Sequence, residues 1–248
     1  DLLIKNRLKA FREEKGMSQE ELSEKTGLSR TTISKIENNK ILKELVPEFY
    51  EILDKCREGL PNSYPGSPFF EQHLTRQDDR LVFIDLHPNE FENLKNNFRK
   101  DRRITIQNTD GLKATNALLP PTPRRGLVLI DPAYEEKNEY IELVKTIKNA
   151  LNKWPQGIFA IWYPVLGKMR DHSKNLTNDL RRLNAPLMQV ELCIEEQEEV
   201  FGMCGSGMLI INYPYMLDTE LEPVLDELYK ALGKKGASAR LKVINPQP

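Results

Sequence analysis

The stretch that most constrains this chain is Gly126-Leu127-Val128-Leu129-Ile130-Asp131-Pro132-Ala133-Tyr134. Its run of aliphatic residues is too short for a helix and is bounded by Gly126 and Pro132. It reads as a buried parallel strand, apolar on both faces. Such a strand delivers the residues after it to the carboxyl end of an open α/β sheet, where that class of fold binds ligands. Those residues have a chemical logic. The exocyclic amine of a nucleobase is a weak nucleophile, because its lone pair is delocalised into the ring. The Asp131 carboxylate and the Pro132 carbonyl can accept its two N–H groups while Tyr134 stacks on the ring. Pro132 stiffens the turn by fixing φ. An isolated Asp-Pro-x-Tyr is more often a strand ending in a turn, so the surroundings decide between the two readings.

The surroundings alternate. Apolar runs at 81–86, 104–108, 126–131, 158–164, 188–195 and 207–213 are predicted strands, and segments near 89–98, 138–153, 168–183 and 219–232 are predicted helices. Residues 41–60 read as one amphipathic helix or two, and Tyr64-Pro65-Gly66-Ser67-Pro68 as a loop. Alternation of this kind means a parallel α/β sheet. Three successive strands are followed by acids, Asp85, Asp110 and Asp131. In a nucleotide-binding α/β fold, a carboxylate ending the second strand bonds ribose hydroxyls, a role that suits Asp85. Asp110 suits a bond to an adenine amine, with Gly111 letting the backbone come close. Any one such acid is more often a turn residue or a helix cap. Three in register with Asp-Pro-Ala-Tyr favour a site.

Residues 1–42 are a different text, a small all-α segment set before an α/β domain over 43–248. Ile4, Leu8 and Phe11 keep a helical spacing, and Ser18 with Glu21 forms a capping box. Thr26-Gly27-Leu28 makes a tight turn, and Ser29 caps the next helix. The segment resembles the phage-repressor-like helix-turn-helix family through Met17-Ser18-Gln19-Glu20-Glu21-Leu22, Gly27 and Ser29-Arg30-Thr31-Thr32-Ile33-Ser34-Lys35-Ile36-Glu37-Asn38. That resemblance implies DNA binding, with Arg30, Thr31 and Lys35 in the major groove and Gln19 and Asn38 on phosphates. The rival reading is a helix pair used only for packing or dimerisation.

The larger part resembles a specific enzyme family. Tyr64-Pro65-Gly66-Ser67-Pro68, Asp85-Leu86-His87-Pro88, Asp110-Gly111, Pro123-Arg124-Arg125-Gly126 through Asp131-Pro132, Trp162-Tyr163-Pro164 and Ser206-Gly207-Met208 follow one another as in the RlmJ-type enzymes. The turn itself resembles the D/N-P-P-Y motif of amino-methyltransferases acting on adenine or cytosine. The resemblance, over about residues 44–248, implies a Rossmann-like fold and methylation of an adenine N6 in 23S ribosomal RNA by S-adenosylmethionine (SAM). It also implies Asp131 as the catalytic residue, with Pro132 beside it and Tyr134 as stacking partner, and Ser67, Asp85 and Asp110 as cofactor contacts. The chain departs from the family at Asp85, usually Glu, and at Ala133, usually Pro. The family's first strand and its glycine loop for SAM have no counterpart, so the expected sheet lacks its first strand and leaves two apolar edges. The cluster Gly202-Met203-Cys204-Gly205-Ser206-Gly207 enters a late strand and is read as structural. Two rivals remain beside the enzyme: a DNA-binding regulator with an inactive transferase-like body, and an artificial or incomplete fusion.

Composition excludes other classes. No apolar run approaches membrane-spanning length, and the first residues lack a secretory pattern, so a cytoplasmic, membrane-free protein is expected. Cys56, Cys193 and Cys204 are isolated in sequence, without zinc spacing or a disulfide framework, and His73, His87 and His172 make no ligand pair; no metal is expected. The formal net charge of −1 says nothing about nucleic acid by itself. Arg99-Lys100-Asp101-Arg102-Arg103 and Arg124-Arg125 are either phosphate contacts or solvated helix ends. The acidic loop at 195–199 would repel RNA.

Overall fold

The computed structural model describes residues 39–59, 66–134, 136–200 and 202–245. Apart from residues 39–42, the expected helix-turn-helix, with Gln19, Arg30, Thr31, Lys35 and Asn38, lies outside the described residues. The chain divides into two compact units.

The first unit contains residues up to Leu81 together with Asp101–Thr105 and Lys230–Leu232. Its helices are α1 (Lys40–Leu45), α2 (Pro47–Gly59) and α3 (Ser67–Leu74). Asn39 caps α1, its Oδ1 accepting the Leu42 N–H at 2.9 Å. Prolines near the starts of α2 and α3 cost nothing, because the first-turn N–H groups have no helical partner. Helix α2 buries Ile52 and Leu53, and Phe49 stacks on Phe70 of α3 at 5.1 Å. Arg103 ties the unit together: its guanidinium donates to Asp101 and to the carbonyls of Gln72, Thr75 and Arg76. Hydrogen bonds from Arg103 and Gln72 hold the Asp101 carboxyl well below the usual range. Arg103 is thus a structural cation within a run that reads, in sequence, either as phosphate contacts or as a solvated helix end.

Glu71, on α3, is raised from 4.5 to about 6 by burial. Its folded value lies above its unfolded one, so the penalty for its charge is complete above pH 6 and gone below 4.5. Glu71→Gln is expected to stabilise the protein by about 1 kcal/mol near neutral pH, solvent screening included, and not at all at about pH 4. Urea melts at the two pH values check it.

The second unit contains Val82–Lys100, Ile106–Tyr229 and the residues from Gly233 onward. Strands β1 (Leu81–Asp85) and β2 (Ile104–Asn108) flank helix α4 (Pro88–Phe98) and form a two-stranded sheet, and helix α5 (Gly111–Leu118) follows β2. Then come β3 (Leu127–Ile130), α6 (Lys137–Lys153), β4 (Ile158–Leu166), α7 (Ser173–Arg181), β5 (Leu187–Cys193), β6 (Met203–Ile211), α8 (Leu217–Leu232) and β7 (Ser238–Ile244). The main sheet has the order β3-β4-β6-β5-β7. Only β3 and β4 are parallel within it; β4–β6, β6–β5 and β5–β7 are antiparallel. This corrects the parallel sheet expected from the alternation of strands and helices. No helix separates β5 from β6, and a parallel pair needs a crossover of a dozen or more residues, so the chain turns straight back.

Other corrections are local. Helices α3, which begins inside the expected 64–68 loop, and α5 were not foreseen, α7 is shorter than 168–183, and β6 begins at Met203 rather than 207. Strand β7 was not foreseen, although Ala239, Leu241 and Val243 alternate with Arg240 and Lys242. The core lies between α6, which buries Tyr140, Leu143, Ile147 and Ala150, and a sheet face carrying Phe159, Ile161, Leu209 and Ile211. Each large aliphatic or aromatic side chain contributes about 1.5–3 kcal/mol on burial. Tyr163 is fully buried; its hydroxyl donates to Glu191 Oε2 and accepts from Gln189 Nε2, both at 2.8 Å. Gly207, paired with Tyr163 across the β4–β6 seam, leaves room for that ring.

Candidate active site

Strand β3 pairs with β4 from Leu127↔Ile158 to Ile130↔Ile161 and then stops, whereas β4 continues to Leu166. The next β4 carbonyl, that of Trp162, accepts the Tyr134 hydroxyl at 2.6 Å. The turn Asp131-Pro132-Ala133-Tyr134 is therefore tethered at both ends, by the ladder and by the phenol. Tyr134 has φ 56°, a left-handed conformation that costs an L-residue roughly 1–2 kcal/mol. The Trp162 bond and burial of the ring offset it. That ring is 7% exposed and packs on Tyr140 at 4.5 Å and Trp162 at 6.2 Å between centroids. Burial, aided by Tyr140, Asp131 and Glu139, drives the phenol far above its ordinary value and keeps it a donor. Tyr134 is thus a tether, with packing and the carbonyl bond claiming most of its surface.

Asp131 is different. It keeps a solvent-exposed face and makes no hydrogen bond or ion pair among the described residues, and partial burial raises its carboxyl above the ordinary value. Among the described residues no hydrogen bond ends on the Pro132 carbonyl. Among the described residues, two acceptors on successive residues thus stand unengaged at the carboxyl end of β3.

The other two acids have local partners. Asp85 Oδ1 accepts the His87 N–H at 2.7 Å, and Asn108 Nδ2 donates to the Asp85 and Leu86 carbonyls, joining the ends of β1 and β2. Asp110 caps α5, with Oδ1 accepting from Leu112 N at 2.9 Å and Lys113 N at 3.2 Å. The cap role set aside in the sequence reading is therefore present at Asp110. Asp85 keeps its second carboxylate oxygen unengaged among the described residues, and a Cβ placed on Gly111 would meet nothing within 4 Å. Leu112 packs on the core cluster that includes Ile130 and Tyr134, which brings the start of α5 to the body of the main sheet. Ser67 is the exposed first residue of α3 and belongs to the other unit. Asp110→Ala is expected to cost about 1 kcal/mol through the lost cap; a thermal melt measures it.

Sequence reasoning missed Tyr140 and the Trp162 carbonyl, which carry the tether's surroundings. Arg124 serves the fold, donating to the Lys153 carbonyl at the end of α6 at 3.0 Å. Among the described residues no cluster of His, Cys, Asp and Glu could hold a metal ion, and no helix is long and apolar enough to cross a membrane.

Comparison with known proteins gives this geometry a family. A family model described as ribosomal RNA large subunit methyltransferase D, RlmJ, matches residues 16–244. The match begins inside the segment that resembles a helix-turn-helix. Ribosomal RNA large subunit methyltransferase J of Haemophilus influenzae is 34% identical over 220 residues, 88% of this chain and 78% of that protein. The Escherichia coli protein of the same name is 37% identical over 181 residues, 73% of this chain and 64% of its own length. The crystal structure of protein LPL1258 from Legionella pneumophila superposes with a TM-score of 0.72 at 33% identity, over 79% of this chain and 73% of that one. With the order of motifs, the fold and these relatives in agreement, the chain belongs to the RlmJ family of ribosomal RNA large subunit methyltransferases.

Proposed function

We propose that this protein transfers a methyl group from SAM to the exocyclic N6 of an adenine in ribosomal RNA, a substrate that places it in the cytoplasm. One observation carries the reading. Among the described residues neither the Asp131 carboxylate nor the Pro132 carbonyl accepts a hydrogen bond, while Asp85 and Asp110 both have local backbone partners. An amine with two N–H groups and a weak lone pair is the ligand such a pair suits.

SAM, when bound, supplies an electrophilic methyl group on a sulfonium. The free oxygen of Asp85 suits a ribose hydroxyl, and the open space at Gly111 lets a nucleoside approach the backbone at the start of α5. Asp131 and the Pro132 carbonyl hold the amine by its hydrogens and aim its lone pair at the methyl carbon. Positioning of this kind removes much of the barrier. Methylation by the bound sulfonium, which would leave as a thioether, would make the nitrogen cationic and acidic. Its proton then leaves readily, and a strong base is not needed. The decisive experiment incubates the purified protein with radiolabelled SAM and large-subunit ribosomal RNA, followed by nucleoside analysis. Label in N6-methyladenosine is expected, and its absence overturns the proposal.

A further inference from the structure

Beside the catalytic turn lies a groove of about 320 Å³ between the first turn of α6 and helix α7. Lys137, Tyr140, His172, Asn175, Asn178 and Arg182 line it. Tyr140 is 6% exposed, and its hydroxyl has no hydrogen-bond partner among the described residues. Buried polar groups are normally satisfied, so an orphan at the wall of a groove marks a place for an incoming partner. Burial, with Asp171 and Glu139 adding to it, pushes this phenol up to about 12, which keeps it a donor at neutral pH. Asp179 also lines the groove and pairs with Arg182 at 2.8 Å, and Asp171 accepts from Ser173 N and Gln197 Nε2. The lining is therefore rich in donors: the phenol, two amides, His172 and the Lys137 ammonium. Its volume is that of a small-ligand site. The Tyr140 ring also packs on Tyr134, so the groove is one aromatic ring away from the turn that carries Asp131.

We propose that this groove holds a phosphodiester of the RNA strand next to the target nucleotide, with Tyr140 and Lys137 donating to it. The inference rests on the RNA-methylation reading and adds a substrate-binding subsite to it. Contacts to phosphate fix position and register and are made by such donors. Tyr140 is then a positioning residue, acting on RNA affinity.

The test uses the full chain, SAM and an in vitro transcript of large-subunit ribosomal RNA. Tyr140→Phe keeps the ring and removes only the orphan oxygen. It is expected to raise KM for RNA about tenfold, the loss of one charge-assisted hydrogen bond. Its kcat at saturating RNA, SAM affinity and melting temperature should not fall. A hydroxyl with a purely structural role would instead lower the melting temperature and leave KM alone. Lys137→Ala should reduce the slope of log affinity against log salt by about 0.7–0.9, one phosphate contact. If wild type methylates the transcript and both variants bind it as wild type does, the subsite is wrong and the methyltransferase reading stands. If wild type methylates no RNA, the functional reading fails and the subsite with it.

Discussion

Asp131→Ala is expected to reduce methyl transfer by about 10²–10³-fold or more, the cost of removing one preorganised group at a reacting centre. The fold should be untouched. Asp131 has no protein partner to lose among the described residues, and substitutions at such exposed positions stay within about 0.5 kcal/mol. This split separates the residue from its neighbours, because losing Tyr134 or Asp110 removes bonds that hold the structure. The carboxylate form accepts the amine hydrogen, and partial burial raises the pH at which that form appears. Activity should therefore climb as pH rises through a value above that of an ordinary aspartate. Asp131→Asn, which keeps one acceptor and cannot titrate, should flatten this limb. Single-turnover rates with radiolabelled SAM, paired with thermal melts, measure both effects. An Asp131→Ala protein that still transfers methyl groups would remove the residue from the mechanism.

A large stability effect is expected at Gly207. A Cβ there would stand 2.2 Å from Tyr163 Cζ, and the ring cannot swing aside. It is fully buried, and its hydroxyl is fixed between Gln189 and Glu191. Gly207→Ala must displace a core aromatic ring or part the β4–β6 seam, and about 3 kcal/mol of lost stability is expected, the upper end for an overpacked core. Tyr163→Phe relieves no clash and leaves two buried polar side chains short of a partner, at about 1–3 kcal/mol. The double variant Gly207→Ala/Tyr163→Ala removes the ring that collides. Its loss of stability should fall well below the sum of the two single losses, which urea denaturation of wild type, Gly207→Ala, Tyr163→Ala and the double variant would show. A Gly207→Ala protein as stable as wild type would mean that the seam opens freely.

How much of this was legible depended on how local the deciding contacts are. Strand β3 and its turn could be read directly, because Gly126 and Pro132 bracket an aliphatic run too short for a helix. The glycines entering β6 were rightly read as structural: a Cβ on Gly205 would strike the Leu192 carbonyl, as one on Gly207 would strike Tyr163. Alternation identified an α/β chain but not the direction of its later strands. The missing helix between β5 and β6 was the available sign of a hairpin. Tyr134 shows the harder limit. Its neighbours in sequence do not reveal its environment, which comes from Trp162, 28 residues away, and from Tyr140 on the next helix. Asp110 shows the opposite: its two bonds reach only Leu112 and Lys113, so the cap was written in the local text and outvoted by the pattern of acids.

The phenol-to-carbonyl tether has a consequence for anyone mapping this protein by mutation. Tyr134 holds the turn to Trp162, and Trp162 is paired with Met208, the residue after Gly207. A disturbance at the β4–β6 seam is therefore passed to the Asp131 turn through one strand and one hydroxyl. In a survey scored by activity alone, damage at the seam and damage at the turn would give the same phenotype. Only a second readout, of folding, would tell a lost catalyst from a displaced one.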